Sequence, residues 1–480
     1  MRRSTPGAGV SSLSRMTEDE IASILSQVET HRLETVRILF ADQHGILRGK
    51  TIVASALPSV LAQGLAVPST LLLKDTSHRT VFPVWSEGPE AAASPMKGAS
   101  DILLLPRAET FRILPWSPHS AWIFCHVAFE DGQPVPFGSL HVLEQAMDRL
   151  ASSGMELRVG LEVEFQIFER VPSAQVGSAP GPMATEIETR NLIDGYQYLT
   201  ETRYSEAEDI LDRLRRAAQA MGLAVRSVEI EMGPSQFEFT FEPADPITQA
   251  DAMITFRTLA KEICARHGLH ASFMPKPRQD HAMANGWHIH QSLIDQSTGR
   301  NLFEPEADHS LTPQAGSWMA GLLAHAEATS LLVAPTVNSY KRYLPYQMAP
   351  NRIQWGRDNR GAMLRALMRP HNPHSRVENR APDSSANPYF ALAAQIIAGH
   401  EGVQSGRVPP DPTVAPYSDD ARKLPRSLGQ ALLAFSQSDL MRQALGTEVV
   451  DYLTVLKDME WNRYLDTVSE WEQAEYFDLY

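Results

Sequence analysis

Apolar residues recur at Ile21, Ile24, Leu25 and Val28 in TEDEIASILSQVET, with acids in the first turn, which predicts a helix over residues 17–30. The next segment, VRILFADQHGILRGKTIVA, switches to strand patterning on either side of an Asp-Gln-His-Gly turn and predicts a hairpin. Its tail, GILRGKT, imitates a phosphate-binding loop but is one residue short, and no long helix pattern follows. It reads as the second strand of the hairpin. DILLLP and AWIFCHVAF add strands among Pro-rich turns, and HVLEQAMDRLASSGM is a helix closing at Gly154. SEAEDILDRLRRAAQAMGL is an amphipathic helix, and the chain after residue 310 is mostly helical apart from polar, Arg-rich stretches at 338–365 and 371–390. Residues 1–16 are predicted to be disordered, and 171–190 to be a low-complexity surface insertion. Strands and helices do not alternate as a Rossmann fold or TIM barrel requires. The expected class is α+β, with a small mixed domain over 17–115 and a larger one over 116–480.

Four segments share an unusual strand pattern. In GLEVEFQIF, Glu162 and Glu164 alternate with Val163 and Phe165, so both carboxylates face one way. In SVEIEMGPSQFEFTF, Glu229 and Glu231 oppose Val228, Ile230 and Met232; after a Gly-Pro-Ser-Gln turn, Glu238 alternates with Phe237, Phe239 and Phe241. Glu231 and Glu238 can therefore share a hairpin face. His288, His290 and Ser292 share a face in NGWHIHQSL, as do Arg376, Glu378 and Arg380 in SRVENRAPD. One alternating strand with a polar face is ordinarily a solvated sheet surface. Here carboxylates and imidazoles recur on face after face. Carboxylate oxygens with one or two imidazoles suit Mg²⁺ or Mn²⁺, and paired ions of this kind stabilise phosphoryl transfer.

Composition narrows the function further. The 480 residues allow two to four domains at about 150 residues each. With 43 Lys plus Arg against 57 Asp plus Glu, the net charge is −14, which argues against a chain built to grip nucleic acid. Cys125 and Cys264 lie too far apart in sequence for a disulfide scaffold or Cys-based zinc site, and a cytoplasmic location is expected. The N-terminus lacks the apolar core of a secretory signal, and no stretch reaches the ~20 apolar residues of a membrane span. Against this acidic background, Lys341, Arg342, Arg352, Arg357, Arg360 and Arg365 concentrate in one stretch interleaved with Tyr340, Tyr343, Tyr346 and Trp355. Surface ion pairs are one explanation; forked donors for carboxylate or phosphate are the other.

Taken in order, these motifs resemble the glutamine synthetase superfamily from about Thr17 to Tyr480. GLEVEF resembles its Glu-x-Glu metal strand, EMGPSQFE its second pair of metal carboxylates, and WHIHQSL its histidine strand. NSYKR, APNRIQWGRDNRGAMLR and RVENRAPDSSANPYFALAA resemble its substrate and ATP segments. The resemblance implies an N-terminal β-grasp-like domain, a glutamine-synthetase-type catalytic domain, and a double-ring homo-oligomer with active sites between subunits. It implies that Glu164, Glu231 and Glu238 hold one metal ion, and Glu162, His288 and Glu378 another. It places His290, Ser292, Arg365 and Arg376 beside ATP, and Arg342, Arg360 and Arg380 on glutamate and the transferred phosphate. The implied reaction phosphorylates the γ-carboxylate of glutamate with ATP, after which an amine displaces phosphate.

Three departures from the family bear on the amine. Members that make glutamine carry a Glu in a Pro-Gly-Tyr-Glu-Ala-Pro loop; LPYQMAP here presents Gln347 after Tyr346 and no acid. An amide is no base at neutral pH. The family's Asp-Gly-Ser-Ser loop finds its nearest counterpart at Val67, Pro68 and Leu71, without the acid. The Asn-Gly that touches glutamate becomes approximately Met283-Ala284. Losing both acids removes the means of attracting and deprotonating ammonium. The expected acceptor is thus another amine, aromatic or alkyl before polyamine, as in the γ-glutamylanilide and γ-glutamylpolyamine synthetase branch. Ordinary glutamine synthesis and a non-catalytic relative are the competing readings; six intact metal-ligand positions argue against the second.

Overall fold

The computed structural model describes residues 13–85, 96–171, 187–279, 281–307, 310–418 and 420–480. Most of the predicted disordered N-terminus and of the 171–190 insertion lies outside the described residues. The chain divides into two compact units, Met1–Lys74 with Phe82–Val142, and Asp75–Val81 with Leu143–Tyr480.

In the first unit, α1 (Glu18–Thr30) begins at a capping box, in which the Thr17 backbone N–H donates to the Glu20 carboxylate at 2.8 Å. β1 (Thr35–Ala41) and β2 (Leu47–Val53) form the expected antiparallel hairpin. A side chain at Gly49 would collide with the Ile38 carbonyl oxygen, so strand pairing accounts for the glycine of GILRGKT. α2 (Leu57–Gln63), β3 (Leu65–Pro68), β4 (Asp101–Pro106), β5 (Arg112–Leu114) and β6 (Ser117–Ala128) follow. Among the described residues the sheet runs β2-β1-β6-β4-β3, with β5 also on β6. Because β6 pairs in parallel with β1, this unit continues to Val142, past the boundary expected near residue 115.

The second unit, entered through α3 (Ser139–Ala151), is built on one long strand, β7 (Met155–Arg170). After β8 (Thr189–Asn191) and α4 (Glu201–Ala220), β9 (Val225–Ile230) and β10 (Gln236–Ala244) form an antiparallel hairpin on one side of β7. α5 (Pro246–Arg266) and β11 (Leu269–Ser272) follow, and β12 (Trp287–Asp295) pairs with the other side of β7. α6 (Pro313–Ala324), α7 (Ala326–Val333), β13 (Trp355–Arg357), β14 (Leu364–Leu367), β15 (Arg376–Asn379) and α8 (Pro388–Gln404) come next, and helices follow to Tyr476. The resulting order is β13-β14-β15-β12-β7-β10-β9, with β8 and β11 also on β7.

The polar alternation read from sequence is a two-sided sheet. Phe165 stacks on Phe273 with ring centroids 5.0 Å apart, and Phe239 meets Phe256 of α5 at 4.6 Å. Phe165, Phe237 and Phe239 are wholly buried, so the opposite face of these strands is left to Glu162, Glu164 and Glu238.

Behind the sheet, α6 and α8 pack closely through small residues. A methyl group at Gly321 would collide with the Ala398 carbonyl oxygen, and one at Gly402 with that of Ser317. Gly321→Ala should therefore destabilise this unit by about 3 kcal/mol, the upper range for overpacking. Thermal unfolding of the variant checks this; an unchanged midpoint would show that the two helices can move apart freely.

Candidate active site

Strand register builds the site. Glu238 lies opposite Glu164 across β10 and β7, and opposite Glu229 across β10 and β9. His288 lies opposite Glu162 across β12 and β7; His290 lies opposite Glu378, which lies opposite Arg365. Residues more than two hundred positions apart in sequence thus share one face of one sheet.

Their side chains converge. His288 Nδ1 is 3.2 Å from Glu162 and 3.8 Å from Glu378, and its Nε2 is 3.5 Å from Glu164. Arg376 Nε donates to His290 Nδ1 at 3.0 Å, which leaves His290 Nε2 to donate to Glu162 at 2.8 Å. Arg365 donates to Glu378 at 2.9 Å and to Asp358 at 2.6 Å, and Arg380 donates to Glu378 as well. Among the described residues three groups bring ligand atoms within 4.8 Å of one another: Glu164 with Glu231 and Glu238, Glu162 with Glu238 and His288, and Glu162 with His290 and Glu378. The first matches the expected trio. The second expected trio, Glu162, His288 and Glu378, also converges, with His288 Nδ1 within 3.8 Å of both carboxylates, and His290 joins the same pair in the third group.

The electrostatics follow from this crowding. Burial and then the neighbouring Glu164 push the Glu231 carboxyl up to about 8. Burial, with Glu162, Glu164 and Glu231 after it, pushes Glu238 well above the usual carboxylate range. Burial acts in the same direction on Glu162, but hydrogen bonds from His288 and His290 outweigh it and hold that group well below its ordinary value. Glu378 is likewise opposed by burial, and the Arg380 guanidinium leads the interactions that bring it down to about 2. Carboxylates that resist ionising together, with imidazoles beside them, form the donor set that hard divalent cations take.

Two cavities flank the carboxylates and share Glu162 and Glu229. The larger, about 480 Å³, is bordered by Arg158, Arg226, His290, Ser292, His374 and Arg376. The smaller, about 290 Å³, holds Glu164, Glu231, Glu238, His288, Arg342, Arg360, Arg365, Arg380, Met283, Ala284 and Gln347. Arg365, expected beside the nucleotide with Arg376, lines the smaller cavity, and Arg376 the larger. Arg342 and Arg380 each bury an Nε that finds no partner among the described residues. Arg342 also donates to the Ala381 carbonyl at 2.9 Å. Arg352 and Arg357 take structural places: one donates to the Ala421 carbonyl, and the other stacks 5.3 Å from the Trp355 ring.

Loops complete the smaller cavity. Gln236 Nε2 donates to the Ala284 carbonyl at 2.9 Å, and Gln166 Nε2 to the Met283 carbonyl at 3.0 Å, which pins the segment ahead of β12. At Gly286 a Cβ would lie 2.7 Å from His288 Nε2 and 3.0 Å from Arg342 Nη2, so a side chain there would displace site groups. In the loop 344–350, Tyr346 and Met348 both adopt positive φ. Tyr346 is exposed and its ring lies 5.0 Å from Tyr417. Val67, Pro68 and Leu71 sit on β3 and the turn after it in the first unit.

Sequence reasoning left out Arg158, Arg226, Tyr198 and Met232, and gave Glu229 no role. Arg158 could have been found, since it continues the 160, 162, 164 alternation. Tyr198 could not: a loop tied by the Leu199 N–H to the Ile230 carbonyl at 3.1 Å brings it in.

Residues 140–476 match the family model of the glutamine synthetase catalytic domain. The chain is 33% identical to a γ-glutamylanilide synthase of Acinetobacter sp, over 96% of each protein. It is 32% identical to a glutamate–methylamine ligase of Methyloversatilis universalis, over 94% of this chain and 98% of that one. It is 35% identical to a glutamine synthetase of Thermus thermophilus, over 79% and 86%. A solved structure described as apo GmaS without ligand superposes with a TM-score of 0.78 at 28% identity, covering 95% of this chain and 99% of the other.

Protons held by Glu231 and Glu238 must leave before those carboxylates ligate a cation, so apparent Mg²⁺ affinity should rise as pH increases toward about 8. Below that, protonated carboxyls compete and affinity falls. Calorimetric titration in two buffers of different ionisation enthalpy at pH 7 should report proton release. Glu238→Gln should weaken Mg²⁺ binding at least about tenfold with unchanged circular dichroism. Unchanged affinity would remove Glu238 from the cation site.

Proposed function

The chain belongs to the glutamine synthetase family and is a glutamate–amine ligase, and we propose that it joins glutamate to an amine other than ammonia, with an aromatic or alkyl amine favoured. The observation that carries this is Gln347, an amide lining the smaller cavity in the loop where glutamine-forming relatives present a Glu. Named relatives acting on anilide and methylamine chemistry support the same direction.

On this reading ATP occupies the larger cavity beside His290, Ser292 and Arg376. Glutamate enters the smaller one, its carboxylates facing the forked donors of Arg342, Arg360 and Arg380, with Arg365 bracing Glu378. Glu164, Glu231 and Glu238 would hold one Mg²⁺ or Mn²⁺, and Glu162 with Glu378 and one or both histidines another. Bound cations of this kind neutralise phosphate charge. The γ-carboxylate oxygen attacks the γ-phosphorus of ATP, ADP leaves, and the arginines stabilise the developing charge. The amine lone pair then attacks the acyl carbon, phosphate departs, and the nitrogen sheds a proton. An arylamine is already neutral at pH 7, so it needs no base before attack. A double-ring homo-oligomer in the cytoplasm completes the proposal, with the exposed Pro68 and half-buried Leu71 reaching the cavity of a neighbouring copy and the buried Val67 backing them. Among the described residues no helix is long and apolar enough to cross a membrane.

One observation favours a polyamine as second reading. Glu229 lines both cavities yet stands outside the three cation groups, and is available to pair with a distal ammonium.

The test is kcat/KM for ammonium, putrescine, methylamine and aniline at saturating ATP and glutamate. Aniline or methylamine should exceed ammonium. Ammonium leading would return the chain to glutamine synthesis, and putrescine leading would select the second reading. Arg342→Lys keeps charge but loses the fork, so KM for glutamate should rise about tenfold with Mg²⁺ binding retained. Unchanged glutamate kinetics would point to a different carboxylate substrate.

A further inference from the structure

Apart from its arginines and carboxylates, the smaller cavity has an apolar arc. Met232, Met283 and Met348 line it from three separate loops, with Tyr198, Ala284 and Ala349 between them. Each methionine is fixed through its backbone to a residue of the site. The Met232 N–H donates to Glu231 at 2.9 Å, the Met283 carbonyl accepts from Gln166 at 3.0 Å, and the Met348 carbonyl accepts from Arg380 Nη2 at 3.1 Å. Met283 is steered further, since a Cβ at Gly233 would lie 2.8 Å from its own Cβ. Met348 holds a positive φ, a conformation an unbranched residue seldom adopts without such a tie. None of the three is fully buried, so their thioethers are not needed to fill the core.

We propose that Met232, Met283 and Met348 form the acceptor pocket and select a primary arylamine by packing thioethers around its ring. The proposal rests on the ligase assignment and adds the residues that set acceptor choice. Unbranched, polarisable thioethers contact aromatic edges favourably and adjust to rings of differing substitution. A short alkylamine offers them little area, and an ammonium ion offers none.

Met→Gln at each position preserves length and removes the apolar contact, while Met→Leu preserves apolar volume. Each Gln variant should lower kcat/KM for aniline about tenfold and regain aniline use as Leu, and those at Met232 and Met348 should keep methylamine and the KM for glutamate within about twofold. Parallel losses for aniline and methylamine, or no loss, would overturn the proposal. A second measurement does not require turnover. In the full-length protein with ¹³C-methyl methionine, assigned through the Leu variants, aniline should shift these three methyl signals by its ring current and methylamine should not. If no amine is turned over, the ligase assignment fails, and the methyl shifts alone decide whether the pocket binds an aryl ring. Absent shifts at all three would refute it.

Discussion

Repulsion among carboxylates is the constraint around which the second unit is organised. Glu162, Glu164, Glu231 and Glu238 meet in groups whose oxygens lie within 4.8 Å, on a face largely screened from water. Two like charges at such a distance repel by about 4 kcal/mol even at an effective dielectric of 20. The protein answers in graded ways. His288 and His290 hydrogen-bond to Glu162, Arg365 and Arg380 clasp Glu378, and burial among like charges raises the pKa of Glu231 and Glu238, so that protons compete there with a divalent cation.

That arrangement persists because the opposite face fixes the register. Phe165 packs with Phe237, Phe256 and Phe273, and Phe239 with Phe256, and a slip of one residue in β7 or β10 would turn these rings outward and the carboxylates into the core. The aromatic layer is therefore as necessary to the chemistry as the ligands are. Neighbouring amides extend its control: Gln166 and Gln236, adjacent to Phe165 and Phe237, hold the backbone of the loop that shapes the smaller cavity.

The two cavities then divide the labour. Among the described residues they share Glu162 and Glu229, so groups bound on the two sides would meet at the same carboxylate cluster. The smaller cavity is uneven. Arginines occupy one part of its wall and methionines another, which suits a charged donor substrate and an acceptor with apolar bulk.

Alternation along single strands determined much of this in the sequence itself. With a period of two, Glu162 with Glu164, and His288 with His290, must share a face whatever lies beside them. The hairpin turn between Glu231 and Glu238 was similarly local. The ligase chemistry was legible because these local faces recur in a known order. Tertiary structure alone decided which faces meet: both His288 and His290 come up to Glu162 and Glu378, and Arg365 lines one cavity while Arg376 lines the other. It also gathered Tyr198, Met232 and Met348 from separate loops, because a loop's position is set by long-range hydrogen bonds and not by its own periodicity. Strand periodicity is a property of adjacent residues, whereas cavity walls are a property of register and loop anchoring, which no short segment encodes.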